Sequence, residues 1–275
     1  MHNKMVTFLD VKKEEIQPVL LEHGFAIWEL KTPWEILRMK GPATAVLFKS
    51  GKLLLQGKDD VMAKYRKLLV EIGFKEEKKI SFVKETGIII GSDECLKGDS
   101  FGGLVVAAVM ADDKVRGNLL LLGVQDSKKI DDKDIPALSE AIEKCADHSV
   151  ASLYPEEYNK HTLTALLNKL HNDCASHLKQ KQKAVHVVDQ YPGCNAGDVR
   201  TIKAESKYLE VAAASIIARN ECLKQFQLLS KELGYPIPKG STHVKEALEF
   251  LKKSGKDPNK FVKLHFRNVK KALDL

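Results

Sequence analysis

Residues 87–111 read GIIIGSDECLKGDSFGGLVVAAVMA. The runs GIIIGS and GGLVVAAVMA are too short for core helices and rich in branched residues, which predicts two buried strands. Asp93 and Glu94 stand where the first of these strands is expected to end, ahead of a loop carrying Gly98, Gly102 and Gly103. Acids at the end of a buried strand are accessible yet rigidly mounted. Consecutive strand residues face opposite sides of a sheet, so these two can serve one centre only if the chain bends between them.

Toward the C-terminus, a further apolar run, LLLLGV at 119–124, reads as a third strand. Helical patterns follow at 134–146 and 155–180, with the strand SVASLY at 149–154 between them. The strand AVHVVDQ at 184–190 ends on Asp189, repeating the pattern of an acid at a strand terminus. After an irregular loop at 191–203, the alanine-rich stretch 209–233 predicts a long, largely buried helix. Stretches 242–255 and 258–273 predict two closing helices. Strands first, then strands alternating with helices, give an α/β fold with a mixed sheet flanked by helices.

Toward the N-terminus, Asp10 is placed to cap a helix ending near Gly24, and Asp59 or Asp60 to cap another over 61–74. Between them FAIWEL, WEILRMK, TAVLFKS and KLLLQG, separated by turn residues, predict four short antiparallel strands. This makes a small α/β domain over 1–85 and a larger one over 86–275.

The 275 residues suffice for a large core without disulfides, and the five cysteines form no CxxC pair. No apolar run nears the roughly 18 residues of a spanning helix, and MHNKMVTFLD is not a signal peptide. The expectation is a cytosolic, monomeric protein with no membrane partner. The net charge of +7 is unevenly spread: Lys and Arg outnumber Asp and Glu by 16 to 12 in residues 1–85 and by 8 to 2 in 250–275, leaving the middle slightly acidic. An acidic middle repels phosphates unless divalent cations sit on it, whereas basic ends suit a polyanion. Carboxylate oxygens are what hard cations such as Mg²⁺ take as ligands. There is no HExxH, GxSxG or GxxxxGK[ST], which disfavours zinc hydrolysis, acyl transfer and P-loop chemistry. Glu205, just ahead of the long helix, is ambiguous, because dipole stabilisation also selects an acid there.

The motifs GSDECLKGDSFGGLVVAAV at 91–109, DSKK at 126–129, VVDQYP at 187–192, KAESKYLEVAAASIIAR at 203–219 and KLHF at 263–266 resemble, in this order, bacterial ribonuclease HIII of the type 2 ribonuclease H family. FAIWELK and SGKLLLQG resemble that family's extra N-terminal domain, which is similar to half of a TATA-box-binding protein. The resemblance implies a ribonuclease H-like catalytic domain that hydrolyses the RNA strand of RNA/DNA hybrids. Its catalytic and metal-binding acids map onto Asp93, Glu94, Asp189 and Glu205. It also implies two Mg²⁺ or Mn²⁺ ions with substrate bound, and products with 5′-phosphate and 3′-hydroxyl ends.

One departure stands out. The family loop after the acid pair reads Gly-Thr-Gly or Gly-Arg-Gly and brings its backbone to the ribose 2′-hydroxyl, but here it is Leu96-Lys97-Gly98, and Gly103 replaces a proline. If position 96 needs a positive φ, leucine there costs about 1–3 kcal/mol, and hybrid binding or ribose discrimination is expected to change. Lys97 is a candidate phosphate contact. Ser127, Lys128 and Lys129 in DSKK are expected to touch a nucleic-acid strand, and Arg38, Lys40, Lys49 and Lys52 to form a cationic sheet face along phosphates. Trp28 and Trp34 are read as packing residues, and His265 as a residue of the last helix. Two other readings stay open: a hybrid- or DNA-binding protein without turnover, and a resolvase-type DNA nuclease on a related fold.

Overall fold

The computed structural model describes residues 3–76, 87–124 and 130–275. The chain forms two compact units, Met1–Ser81 with Leu121–Gly123, and Phe82–Leu120 with Val124–Leu275. The boundary expected near Glu85 lies outside the described residues. No helix among the described residues is long and apolar enough to cross a membrane.

The first unit runs β1 (Asn3–Leu9), α1 (Lys13–Glu22), β2 (Ala26–Ile27), β3 (Glu35–Lys40), β4 (Thr44–Phe48), β5 (Leu53–Lys58), α2 (Asp59–Glu71) and β6 (Lys75–Glu76). Its sheet is antiparallel throughout, in the order β2-β3-β4-β5-β1-β6. Two strands escaped the sequence reading. MVTFL alternates as a half-buried strand should, with Val6 and Phe8 inward, and β6 is only two residues long. Asp10 is not a cap: it takes φ +56 in the turn leaving β1, and α1 begins after Lys12. Ile16 and Leu20 of α1 and Met62, Tyr65 and Leu69 of α2 pack on the face formed by Phe8, Leu37, Met39, Ala45, Leu47, Leu53 and Leu55.

Arg38 points to the opposite face of that sheet. A register shift between Glu35 and Leu37 brings Glu35 round to the same side, and the guanidinium donates to both Glu35 oxygens, at 2.8 and 2.7 Å. The side chains are 3% and 0% exposed. Arg38 is therefore withdrawn from the phosphate-tracking face: its charge is neutralised inside the fold. Replacing Glu35 by Gln should destabilise the protein by about 3–5 kcal/mol, because a buried guanidinium is left uncompensated, whereas a Glu35→Met/Arg38→Met pair should be near neutral. Urea denaturation midpoints of the two variants measure this, and equal destabilisation by both would refute it.

The second unit contains β7 (Ile89–Cys95), β8 (Leu104–Ala111), α3 (Asp113–Leu121), α4 (Ile135–Cys145), β9 (Asp147–Leu153), α5 (Pro155–Tyr158), α6 (Leu163–Lys179), β10 (Val185–Asp189), β11 (Val199–Thr201), α7 (Leu209–Leu233), α8 (Lys245–Ser254) and α9 (Arg267–Leu273). The mixed sheet has the order β11-β10-β7-β8-β9. The first three strands are parallel, and β8 and β9 add on antiparallel. The run LLLLGV is not a strand: its first residues close α3, whose first turn carries Asp113, since a short apolar run fits a helix end as well as a strand. β11 lies inside the stretch read as loop. KLHF precedes α9 rather than forming part of it, so His265 is not a helix residue; its ring stacks on Tyr158 with centroids 5.6 Å apart.

Alternation along β7 assigns the two faces of this sheet. Ile90 joins a core with Leu166, Leu167, Leu170, Cys174 and Leu178 of α6. Ile89 joins Val187, Tyr208 and Val211 on the α7 side. Gly91 lies so close to α7 that a Cβ there would sit 2.3 Å from the Val211 nitrogen, the close backbone approach that a lone glycine in a strand permits.

Candidate active site

β7 does not end before the acid pair. It stays paired with β8 through Asp93↔Ala107, Glu94↔Val106 and Cys95↔Val105, because Val105–Ala107 supply an uninterrupted partner strand. The acids therefore stand within the strand and on opposite faces. Asp93 falls on the α7 side with Ile89 and Gly91, and Glu94 on the α6 side with Ile90 and Ser92.

Asp189 belongs with Asp93. The parallel register of β10 and β7 pairs Val188 with Ser92, and one step further sets Asp189 beside Asp93 on the same face. Asp189 Oδ1 accepts from the Ala204 amide at 2.9 Å, which ties β10 to the 3-10 turn Ala204–Ser206 carrying Glu205. Lys203 enters that turn in the left-handed region, at φ +57. Burial pushes the Asp93 carboxyl well above the usual carboxylate range, and the charges of Glu94, Glu205 and Asp189 add to the shift; the Glu94 amide, donating to Asp93 Oδ1 at 2.9 Å, opposes it. Acids from three distant parts of the chain thus bear on Asp93.

Glu94 has the opposite balance. Burial works to raise its carboxyl, but His171 and Lys97 outweigh burial and hold it at about 2. Lys97 Nζ donates to Glu94 Oε1 at 2.7 Å, so its ammonium is engaged with an acid of the site. Glu94 Oε2 lies 3.4 Å from His171 Nε2, an ion-pair contact, and neither atom has a hydrogen-bond partner.

Behind Glu94 is a buried polar chain that sequence reasoning missed. Ser92 Oγ is 2.7 Å from His171 Nδ1 and 2.7 Å from His186 Nε2, and all three residues are at most 1% exposed. Burial pushes His186 down to about 3, so it is neutral. Ser92 Oγ donates to one of the two rings and accepts from the other, and His171 Nε2 is left facing Glu94. The only trace in the sequence is a histidine amid the apolar positions Leu167, Leu170 and Cys174 of α6, which reads equally well as core packing.

The Leu96-Lys97-Gly98 turn keeps the backbone that a glycine would allow. Leu96 has φ +70 and is 2% exposed. Its Cδ1 lies 3.0 Å from where a Cβ on Gly102 would stand, so Gly102 makes room for it. Burying a leucine is worth about 1.5–3 kcal/mol, enough to offset the strain of about 1–3 kcal/mol. Gly103 is equally constrained. A Cβ there would fall 2.0 Å from the Leu153 oxygen, and its amide donates to Gln225 Oε1 at 3.1 Å, a bond proline lacks.

In the first unit Lys40 and Lys49 are exposed. Lys40 Nζ lies 4.3 Å from the ring centroid of Trp28, and Lys49 Nζ lies 5.7 Å from that of Trp34. Lys52 is half-buried. Trp34 packs on Val46, Phe48 and Leu54 as expected, whereas Trp28 is 49% exposed. Ser127, Lys128 and Lys129 lie outside the described residues.

The donor set fits a hard divalent cation: neighbouring carboxylates press on Asp93, and the Glu94 Oε2 atom is buried with no hydrogen bond. Among the described residues no group of three or more His, Cys, Asp or Glu is arranged to hold a metal ion. The acids gather without forming a closed cage. Asp93, with its pKa raised by folding, contributes stability that is present below its unfolded value and lost as pH rises through its raised value. Glu94, with its pKa lowered, contributes stability that is lost as pH falls through about 2. The rise in Tm on adding Mn²⁺ should therefore be larger above the raised Asp93 value than below it, since the cation relieves a repulsion that protonation no longer relieves. Equal shifts on both sides of that value would count against it.

A family model described as ribonuclease HII matches residues 90–269. Ribonuclease HIII of Streptococcus agalactiae serotype Ia is 34% identical over 301 aligned positions, which cover 98% of each chain. Ribonuclease HIII of Streptococcus pyogenes serotype M3 is 35% identical over 85% of this chain and 86% of its own. Among solved structures, Bst-RNase HIII in complex with Mn²⁺ superposes with a TM-score of 0.65 at 27% identity, covering 98% of each chain. Aquifex aeolicus RNase H3 does so with a TM-score of 0.57 at 30% identity, covering 95% of this chain and 100% of its own. With its acid-bearing β7 and β10, its mixed sheet between α6 and α7, and kinship along nearly its whole length, the chain belongs to the ribonuclease HII family, among the relatives called ribonuclease HIII.

Proposed function

We propose that this enzyme is a cytoplasmic, monomeric endoribonuclease that cuts the RNA strand of RNA/DNA hybrids at the site formed by Asp93, Glu94, Asp189 and Glu205. It leaves 5′-phosphate and 3′-hydroxyl ends. Membership of the family implies ribonuclease H activity on hybrids. The observation that carries the finer reading is the convergence of Asp189, beside Asp93 in the parallel register, with the turn bearing Glu205, which is tied to Asp189 Oδ1 through the Ala204 amide.

Asp93 and Asp189, side by side on β7 and β10, would hold the cations, with Glu205 closing the α7 side. Glu94, on the other face of β7 with no bend between the two acids, would act on the same centre through its charge, its carboxylate kept ionised by His171 and Lys97. When bound, a pair of Mg²⁺ or Mn²⁺ ions supplies an activated water and neutralises charge at the departing 3′ oxygen. The Leu96-Lys97-Gly98 turn, immediately after the acids, would meet the ribose 2′-hydroxyl, which distinguishes RNA from DNA. The first unit, with exposed Lys40 and Lys49, serves substrate capture.

The test is cleavage of a labelled RNA/DNA hybrid, beside the matching DNA duplex, with Mg²⁺ or Mn²⁺. Hybrid cleavage alone is the expected result; cleavage of the DNA duplex, or none at all, would refute the reading. A chain lacking the first unit should show KM raised at least about tenfold at nearly unchanged kcat, since phosphate contacts carry affinity rather than chemistry. Unchanged KM would remove the first unit from substrate capture.

A further inference from the structure

Lys263 is a lysine with no exposure to solvent, buried beside the rings of Tyr158 and Phe266, with its Nζ 5.1 and 5.5 Å from their centroids. A buried ammonium is expensive unless its protons are used. Here Nζ donates to two backbone carbonyls, Leu96 O at 2.7 Å and Asp99 O at 2.6 Å. Both belong to the turn that follows the acid pair, more than 160 residues earlier in the chain. The same segment also bonds this loop through its backbone: Lys263 N donates to Ser100 O at 2.9 Å, and Gly102 N donates to Phe261 O at 3.0 Å.

The chemistry of the contact is directional. The peptide joining Leu96 to Lys97 is trans, so a carbonyl drawn inward to Lys263 turns the Lys97 amide outward, away from the core. Leu96 occupies the left-handed region at φ +70, and relaxing to ordinary backbone angles would swing that carbonyl off Nζ. The ammonium therefore opposes the relaxation that a leucine, unlike a glycine, favours.

We propose that Lys263 is a positioning residue for ribose recognition: it locks the Leu96–Asp99 turn so that its outward amides meet the RNA strand at a set distance from the acids. This inference rests on the hybrid-cleaving function proposed above. It gives a reason for a lysine in the segment before α9 that the acid chemistry does not use.

The test compares the full-length protein with Lys263→Met, which preserves bulk and removes the donors. Two readouts are needed. Hydrogen exchange over the peptide spanning residues 95–101 should accelerate at least about tenfold. The preference for an RNA/DNA hybrid over a DNA duplex of the same sequence, measured by competition against a labelled hybrid in Ca²⁺, should fall at least about tenfold, with KM for hybrid cleavage rising more than kcat falls. Unchanged exchange would overturn the clamp, and faster exchange with unchanged preference would overturn its role in recognition. If Lys263→Met does not fold, the wild-type protein decides: protection of the Asp99 and Ser100 amides, which donate inward to Leu96 O and Gly240 O, supports the clamp, and their exchange at the rate of an open loop overturns it. A wild-type protein that fails to cleave hybrids would sink the proposed function and leave the exchange result to judge the clamp.

Discussion

Asp93→Asn should lose cleavage of an RNA/DNA hybrid by on the order of a thousandfold or more, while the metal-free protein melts at a higher temperature than the wild type. The two halves of this result have one cause. Asp93 is a half-buried carboxyl pressed by the charges of Glu94, Glu205 and Asp189, so its ionised form costs folding energy. The amide has the same shape and no charge. It removes the repulsion, and with it the anionic oxygen a cation needs. Active sites commonly trade stability for function in this way. Asp189→Asn should lose turnover to the same degree. Glu94→Gln should behave differently, losing activity and stability together, because its carboxylate is held by His171 and Lys97. Thermal melts without metal and initial rates with Mn²⁺ measure all three variants. An Asp93→Asn protein that keeps its turnover would remove Asp93 from the chemistry, and one that melts lower would remove the repulsion.

Gly91→Ala should be one of the most damaging single methyl groups in the second unit. Its Cβ would lie 2.3 Å from the Val211 nitrogen and 2.4 Å from the Glu210 carbonyl carbon. These are backbone atoms of the first turn of α7, which no rotamer change can move aside. α7 is further fixed by Glu210, 2% exposed and paired with Arg116. The strand and the helix must separate, at a cost of about 3 kcal/mol, the upper end of overpacking. Asp93 is two residues along the same strand, on the same face, so the separation also displaces the acid from Asp189 and Glu205. A misplacement of about 1 Å in a catalytic group lowers turnover roughly a hundredfold. Urea denaturation and kcat at a temperature where the variant stays folded give the two numbers. A wild-type midpoint with wild-type turnover would mean that β7 and α7 do not set the site.

The existence and type of most elements were legible from periodicity and turn residues: β7, β8 and β10 as short branched runs, α7 as a long alanine-rich helix, β3 to β5 as hairpin-linked strands. Asp93 and Asp189 were legible for the same reason, since an acid closing an apolar run marks the point where a strand meets solvent. Glu205 was visible only through resemblance, because one acid before a helix looks like another. LLLLGV was misread, because four leucines have no period and fit a helix end or a strand equally.

What the sequence determined on its own was the order of elements and the supply of four carboxylates. Which face of β7 each acid occupies, the burial of Arg38 against Glu35, the Ser92–His171–His186 chain behind Glu94 and the grip of Lys263 on Leu96 were decided only by the tertiary structure. The reason is the range of the interactions. Periodicity is set by the local geometry of each element, whereas these contacts depend on sheet register, on a bulge and on segments as much as 167 residues apart that meet only when the core closes.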